Sequence, residues 1–508
     1  MSGDRVRIRL EPLSVEVEVP HGALLSSCLS QYGLEFPCGG TAQCGGCRVR
    51  VIGGSLPVTG PDLSIFSPEE LANGWRLACQ ACAEIPLVLE CGQWHMDVLT
   101  DNSGLSGAGK SGLGIAIDLG TTTIAAQMID MATGDVLGVE TDLNPQASFG
   151  ADVMNRIQAA LSGADLTTMI RFALRQIIAK LAGGREQEVV EVVLVGNTVM
   201  HHLFSGLDIE PLSHLPFQSP HLGVQHFRPE NLGWPLFPNC RIRFERCLGG
   251  FVGSDILAGI LAVGMYRTEE MHALVDLGTN GEIAIGNRHR IVCASTAAGP
   301  AFEAGSIRMG MRAATGAISR VSLERGEMRA TVIGNMEARG ICGSGLVDAV
   351  AVGLESGGIL PSGRIADRTR IFPVKEPVVL FQADIRELQL AKAAIASGFR
   401  LLLQRLGTSA GNLQSIYLAG AFGNYVQIES AIGIGLIEAP QSLIHAAGNT
   451  ALRGAKILLL APEKPALPTI KHVSLAADPG FQDEFASCLT FSKAGSVVRG
   501  QQGTAARE

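Results

Sequence analysis

Apolar and polar residues alternate at the start of the chain. Val6, Ile8 and Leu10 are interleaved with Arg5, Arg7 and Arg9. A period of two sends the two sets to opposite faces of a sheet, so residues 5–19 predict a β-hairpin. From His21 to Gly33 the spacing becomes helical. Ser67, with Pro68 next and Glu70 three residues on, reads as a helix start with a capping box and proline at the first position. Residues 96–112, "MDVLTDNSGLSGAGKSG", carry no apolar period and are dense in Gly and Ser, which predicts a flexible tether. Beyond it, "IAIDLGTTTIAAQMID" reads as strand, tight turn and strand, and "HALVDLGTNGEIAIGN" repeats the plan 158 residues later. A third element, "SIYLAGAFGNY" (residues 415–425), runs a strand into a Gly-rich turn.

In each repeat a carboxylate, Asp118 or Asp276, ends an apolar strand and a glycine opens the turn. Two such hairpins facing one another can wrap a polyphosphate in backbone amides and hydroxyls. The candidates are Gly120, Thr121, Thr122 and Thr123 on one side, and Gly278, Thr279, Asn280 and Gly281 on the other. The paired aspartates would hold Mg²⁺ through water. Small residues in Gly420, Ala421, Phe422 and Gly423 would let a base or ribose lie against backbone. A single such loop is an ordinary β-turn; two in matched context, followed by the third element, point to one nucleotide held from two sides. Asp255 in "VGSDIL" has two readings, polarising the attacking water or capping a helix that starts at Ile256.

Other motifs read differently in context. "GLSGAGKS" (residues 104–111) fits the phosphate-loop pattern G-x-x-x-x-G-K-[ST], yet that loop requires a strand before it and a helix directly after it. Here a polar stretch precedes and a β-branched apolar run follows, so Lys110 reads as a solubilising linker residue. His201 and His202 are adjacent, point in different directions on a helix and have no second ligand pair, which favours a core or interface role over metal. Cys342, in the Gly loop "GICGSG", either touches the ligand or is a small core residue.

The chain has 508 residues, 46% hydrophobic and 17% charged, enough for two to four domains with real cores. A net charge of −8 without a basic, aromatic-interleaved run argues against nucleic acid. No stretch approaches the roughly 20 apolar residues of a membrane span, and the opening residues lack a signal peptide's apolar block. A cytoplasmic protein is expected, whose 12 cysteines are ligands or buried thiols instead of a disulfide frame. Three of them form Cys38-x5-Cys44-x2-Cys47 in a Gly-rich loop, and Cys79 follows after 31 residues. Four thiolates from one tight loop and one distant return can give each iron of a two-iron cluster two sulfur ligands. Structural zinc, held by Cys44-x2-Cys47 and Cys79-x2-Cys82, is the alternative, although it leaves Cys38 unused and needs an unusually long separation.

Residues 4–94, through "CGGTAQCGGC" and "RLACQ", resemble the [2Fe–2S] ferredoxin family. That resemblance implies a β-grasp fold with Cys38, Cys44, Cys47 and Cys79 as cluster ligands. Cys28, Cys82 and Cys91 fall outside the pattern, with Cys82 the rival for the fourth position. The paired loops and the late turn resemble the acetate and sugar kinase, Hsc70 and actin superfamily. With "GNTVMHHL", "GGFVGSDILAGIL", "STAAGPAFEAG" and "GICGSGLVDAV" added, the whole chain is similar to ATP-dependent reductive activators of corrinoid proteins. The implied architecture is α/β and multidomain. A β-grasp ferredoxin (1–95) and a linker (96–112) precede a two-lobed actin-like, ribonuclease H-like ATPase, with lobe I at 113–240 and lobe II at 241–508 including a C-terminal return segment. The implied activity passes an electron from the cluster to cob(II)alamin on a corrinoid protein or cobalamin-dependent methyltransferase, regenerating cob(I)alamin at the expense of ATP and Mg²⁺. An upstream electron donor is implied, and a homodimer is compatible. The tail holds only Cys488, so the two-iron head is the sole redox centre visible in the sequence. Two other classes share these features: a small-molecule kinase with an appended electron carrier, and a non-enzymatic redox adaptor with a nucleotide switch.

Overall fold

The computed structural model describes residues 5–491 except 12–14, 30–33, 35, 37–39, 43–46, 92–100, 102, 151, 279, 336 and 462–464. The opening alternation becomes strands β1 (Arg5–Glu11) and β2 (Val15–Pro20), antiparallel with Ile8 opposite Val17. With β3 (Arg48–Gly53), β4 (Trp75–Leu77) and β5 (Leu87–Cys91) they form a sheet of order β2-β1-β5-β3-β4. Strands β1 and β5 are parallel and central, the β-grasp arrangement. Val6, Ile8, Leu10, Val17 and Val19 point into this domain's own core, where Phe36, Val49 and Leu89 meet them. The helical stretch expected over 21–33 is a helix only at Leu25–Leu29 among the described residues. The capping box at Ser67 is present: its hydroxyl accepts from Glu70 N at 3.2 Å and Glu70 Oε2 accepts from Ser67 N at 2.8 Å.

Lobe I is built on β6 (Leu113–Leu119), β7 (Thr123–Asp130), β8 (Val136–Leu143), β9 (Val189–Gly196), β10 (Gln225–Phe227) and β11 (Arg241–Phe244), in the order β8-β7-β6-β9-β11-β10. Lobe II uses β12 (His272–Leu277), β13 (Gly281–Gly286), β14 (Arg290–Thr296), β15 (Ser415–Ala419), β16 (Ile444–Gly448) and β17 (Thr469–His472), in the order β16-β15-β12-β13-β14-β17. Read outward from β6 and β12, the two sheets share one plan. An antiparallel meander lies on one side of the first strand and two parallel strands on the other. The central strands are buried on both faces, which is why they read as near-continuous apolar runs.

The division expected after residue 240 cuts through the first sheet, because Arg241–Phe244 pairs with β9. The chain also returns: helix Thr450–Leu460 packs on β6 and β9 and against helix Ser254–Ala262, burying Leu452, Ala455 and Leu459 with Ala116, Val193 and Ala258. The second half of the Gly/Ser stretch lies along this surface. Lys456 Nζ donates to the carbonyls of Asp101 (3.1 Å) and Ser103 (2.9 Å), and Ala108 N donates to Met131 O at 2.9 Å. Composition alone does not register those long-range partners. No helix among the described residues is long and apolar enough to cross a membrane.

Candidate nucleotide cleft and cluster site

The ends of β6 and β12 open on one cleft of about 270 Å³ between the lobes. Asp118, Gly120, Thr121, Thr122 and Thr123 line it from lobe I; Asp276, Gly278 and Asn280 line it from lobe II, together with Asp255, Gly420 and Phe422. Thr279 lies outside the described residues, as does the side chain of Ala421. Gly281 and Gly423 sit behind the wall, against Ile395 and Leu418 respectively. Sequence spacing brings neither lobe to the other; the shared fold plan does.

The first loop is tightly held. Gly120 N donates to Thr123 O (3.0 Å), Asn144 Nδ2 donates to Gly120 O (2.9 Å), and Asn197 Nδ2 donates to Thr121 Oγ1 (2.8 Å). The buried Arg156 guanidinium donates to Thr121 O, and burial pulls its pKa down to about 9. In lobe II, Gly420 adopts φ +79 and its Cα faces Asp276. A β carbon there would stand 2.5 Å from Asp276 Oδ1, so only glycine lets the start of helix Gly420–Tyr425 approach the carboxylate. The Phe422 ring rests against Phe302 at 4.7 Å, giving the cleft an apolar wall beside its acidic floor.

Four carboxyl groups converge on that floor. Burial pushes Asp118 up to about 6, against a hydrogen bond from Asn449 Nδ2 at 2.9 Å. Burial, then the Asp118 charge, pushes Asp276 up to about 7. Asp255 rises to about 8 through burial and the charges of Asp276 and Asp118. Glu282, in register opposite Asp276 on β13, is raised by burial and by Asp255 and Asp276, with Ser295 Oγ donating to it at 3.2 Å. Asp255 lines the cleft but does not cap the helix: the helix begins at Ser254 behind Gly253, without a side-chain cap, and Asp255 Oδ1 accepts from its neighbour Ile256 N at 2.8 Å. Like charges this close cannot all ionise unless a cation joins them.

A pH dependence follows. The folded chain holds protons on these groups that the unfolded chain releases near pH 4, so without cation its stability falls as pH rises from about 4 toward 7. For Asp276 alone, taken from 3.8 to about 7, the difference is on the order of 4 kcal/mol. Asp276→Asn should therefore flatten the decline in unfolding midpoint of the two lobes between pH 5 and 8 in chelator. An unchanged slope would show that the carboxyl is not raised.

Several cleft residues were not singled out by sequence reasoning: Glu282, Asn449, Asn197, Arg312 and Ser344. A signal existed for two of them. "GNT" occurs at 196–198 and again at 448–450, each before a helix. Asn197 and Asn449 cap those helices, accepting from Met200 N (3.0 Å) and Leu452 N (2.7 Å), while their amide groups turn to Thr121 and Asp118. The asparagines thus repeat across the lobes as the aspartates do. Gly104–Ser111, by contrast, opens into strand β6 and not a helix, with Lys110 exposed. His201 and His202 are fully buried. His202 bonds Thr198 O (2.8 Å) and Ser219 Oγ (2.7 Å), and the His201 ring meets Phe244 edge-on at 5.0 Å. Cys342 is buried at the cleft wall with Sγ 3.3 Å from Ser344 Oγ.

In the β-grasp domain, Cys38 and Cys44 lie outside the described residues. Cys47 and Cys79 are buried and brought together by the sheet: Arg48 pairs with Leu77, and Ala78 N donates to Cys47 O at 3.0 Å. Gln80 Nε2 bridges Gly40 O (3.1 Å) and Cys79 Sγ (3.6 Å), tying the Gly loop to the return turn. Cys82 instead belongs to a short strand paired with Ala23–Leu24.

Family models match the chain in three stretches. Residues 8–84 match a 2Fe-2S iron-sulfur cluster binding domain, 113–268 the RACo middle region, and 270–498 the C-terminal domain of RACo, the ASKHA domain. The corrinoid activation enzyme RamQ of Eubacterium limosum is 35% identical over 73% of this chain and 69% of its own length. A Co(II) methylated amine-specific corrinoid protein reductase of Methanosarcina barkeri is 28% identical over 71% and 72%. Among solved structures, a reductive activator for a corrinoid, iron-sulfur protein superposes over 96% of this chain and 99% of its own, with TM-score 0.65 and 26% identity. A 2Fe-2S domain joined to the RACo middle and ASKHA regions, with relatives alike over two thirds of their length, makes this chain a member of the family of reductive activators of corrinoid proteins.

Proposed function

We infer that this chain reduces cob(II)alamin on a partner corrinoid protein or cobalamin-dependent methyltransferase to cob(I)alamin, using ATP to drive the electron transfer. The observation that carries this reading is the union of a [2Fe–2S] domain and an ASKHA cleft in one chain whose relatives are corrinoid activators and reductases. When bound, a [2Fe–2S] cluster would supply the single electron. Cys38, Cys44, Cys47 and Cys79 would hold it, with Gln80 Nε2 donating to Cys79 Sγ.

In the cleft, the turn amides of Gly120, Thr121, Thr122, Gly278 and Asn280 and the hydroxyls of Thr121–Thr123 embrace the phosphates, while Phe422 and Phe302 offer an apolar face to the base. Asp118, Asp276 and Glu282, which line the cleft together, would hold the Mg²⁺ that accompanies ATP. Such a cation would favour their ionised forms, and Asp255, which lines the same cleft, would accept the proton of the attacking water. The two lobes grip ATP jointly, so their closure differs between ATP and ADP, and this difference is what hydrolysis makes available to the partner complex. Electrons reach the chain from an upstream donor.

The test is direct. The reduced protein with ATP, Mg²⁺ and a corrinoid partner in the cob(II)alamin state is expected to give the cob(I)alamin absorption spectrum, and to do so poorly without ATP. Equal reduction with and without nucleotide would leave a redox adaptor in place of an activator.

A further inference from the structure

Two short segments run from the iron–sulfur domain to the nucleotide cleft. Residues 308–313 and 339–344 lie side by side: Met311 N donates to Ile341 O at 3.0 Å, Ile341 N to Met309 O at 2.9 Å, and Gly310 bridges Ile341 in parallel. One end of this strip lines the cleft through Arg312, Ala313, Cys342 and Ser344. The other end meets the β-grasp domain, where Arg339 Nη2 lies 3.3 Å from Glu90 Oε1 on β5. Between the ends, Met311, Ala314, Ala317 and Cys342 form a small buried cluster that ties the segments together.

The strip is stiff where it matters. Arg339 N donates to Gly316 O at 2.8 Å, and its side-chain stem passes over Gly316, where a β carbon would stand 2.9 Å from Arg339 Cδ and φ is +92. Packed elements of this kind shift as units and do not deform smoothly. Polar contact holds the seat of the iron–sulfur domain. Glu90, also held by Arg50 Nε at 2.6 Å, attracts Arg339, while Arg48, next to Cys47, pairs with Glu70 at 3.6 Å within its own domain. The pair is only partly buried, so water competes for both groups and a small displacement can release it.

We propose that this strip couples the two sites: a nucleoside triphosphate that draws Arg312 and the Cys342–Ser344 turn toward the cleft loosens the grip of Arg339 on Glu90 and frees the iron–sulfur domain to reach the partner's corrin. The proposal rests on ATP binding in the cleft. Coupling is reciprocal, so if ATP weakens the contact, removing the contact must tighten ATP binding by the same factor.

The experiment uses the full chain with its cluster and a non-hydrolysable ATP analogue with Mg²⁺. Calorimetry on the wild type, Arg339→Gln, Glu90→Gln, the double variant and Arg339→Lys gives the affinities. Arg339→Gln is expected to bind the analogue about fivefold more tightly, within the usual range of coupling energies. The double variant should gain no more than the single, and Arg339→Lys should resemble the wild type. Hydrogen exchange supplies a second readout: on adding analogue, amides of Arg48–Gly53 and Leu87–Cys91 should exchange faster in the wild type and unchanged in Arg339→Gln. Equal affinity in all variants, with nucleotide-independent exchange at those strands, would overturn the coupling while leaving the cleft intact. A wild type that binds no nucleotide would remove the cleft reading and the coupling with it.

Discussion

Cys79→Ala is expected to yield a colourless or weakly coloured protein with little bound iron and sulfide, and corrinoid reduction at the level of a protein-free control. The cluster needs four thiolates, and losing one leaves an iron with an open position and a labile site. Cys79 sits in the Ala78–Gln80 turn, one residue from the amide that bonds Cys47 O, so a smaller side chain leaves the sheet pairing of Arg48 with Leu77 in place. Analogue binding in the cleft, in a separate domain with its own core, serves as the control that the rest of the chain stands. Iron and sulfide content, the visible spectrum and the cob(I)alamin yield are the measurements. If Cys79→Ser keeps a normal cluster and Cys82→Ser loses it, the fourth ligand is Cys82. A wild type carrying one tightly held zinc and no iron would end the ferredoxin reading altogether.

Asp276→Asn should lower ATP hydrolysis, and ATP-driven corrinoid reduction with it, by about 10²–10³-fold, the scale of a several kcal/mol loss in charge stabilisation around a metal. Asparagine keeps the shape and the close approach of Gly420 but removes the charge proposed to face Mg²⁺. The cluster should be unaffected, so electron transfer without nucleotide should remain at the wild type's ATP-free level. Steady-state phosphate release and the rate of cob(I)alamin appearance check both halves. Hydrolysis within about threefold of wild type would mean that Asp276 is a structural turn residue, since aspartate is common at turns.

How much of this was legible beforehand differs by element. Asp118 and Asp276 stand out in sequence because an acidic residue between an apolar strand and a glycine turn has no packing purpose, and the repetition marks them twice. Asp255 is ambiguous in sequence because a helix start and a catalytic carboxylate use the same residue. The fold removes the cap reading, because the helix begins at Ser254 behind Gly253, and it places Asp255 in the lining of the cleft. Glu282 and Asn449 were hidden for a different reason. Each follows ordinary local logic, a strand residue and a helix cap, and acquires a partner only across the sheet or 331 residues away. The 96–112 stretch shows the converse, since Gly and Ser content is blind to the carbonyls that Lys456 collects from Asp101 and Ser103.

The modules are legible in local pattern: a period-two hairpin and a Cys-x5-Cys-x2-Cys loop for the head, and paired strand–turn–strand repeats for the lobes. These are local patterns, set by side-chain periodicity and by what a tight turn tolerates. Where the lobes end, and which side chains share a charge problem, emerges from the folded chain. The return of Thr450–Leu460 onto β6 and β9, the convergence of four carboxyls and the strip from Arg339 to the cleft all join residues far apart in the chain. Burial raises a carboxyl's pKa and packing transmits a displacement only once those distant segments are in contact, and no window of sequence contains them together.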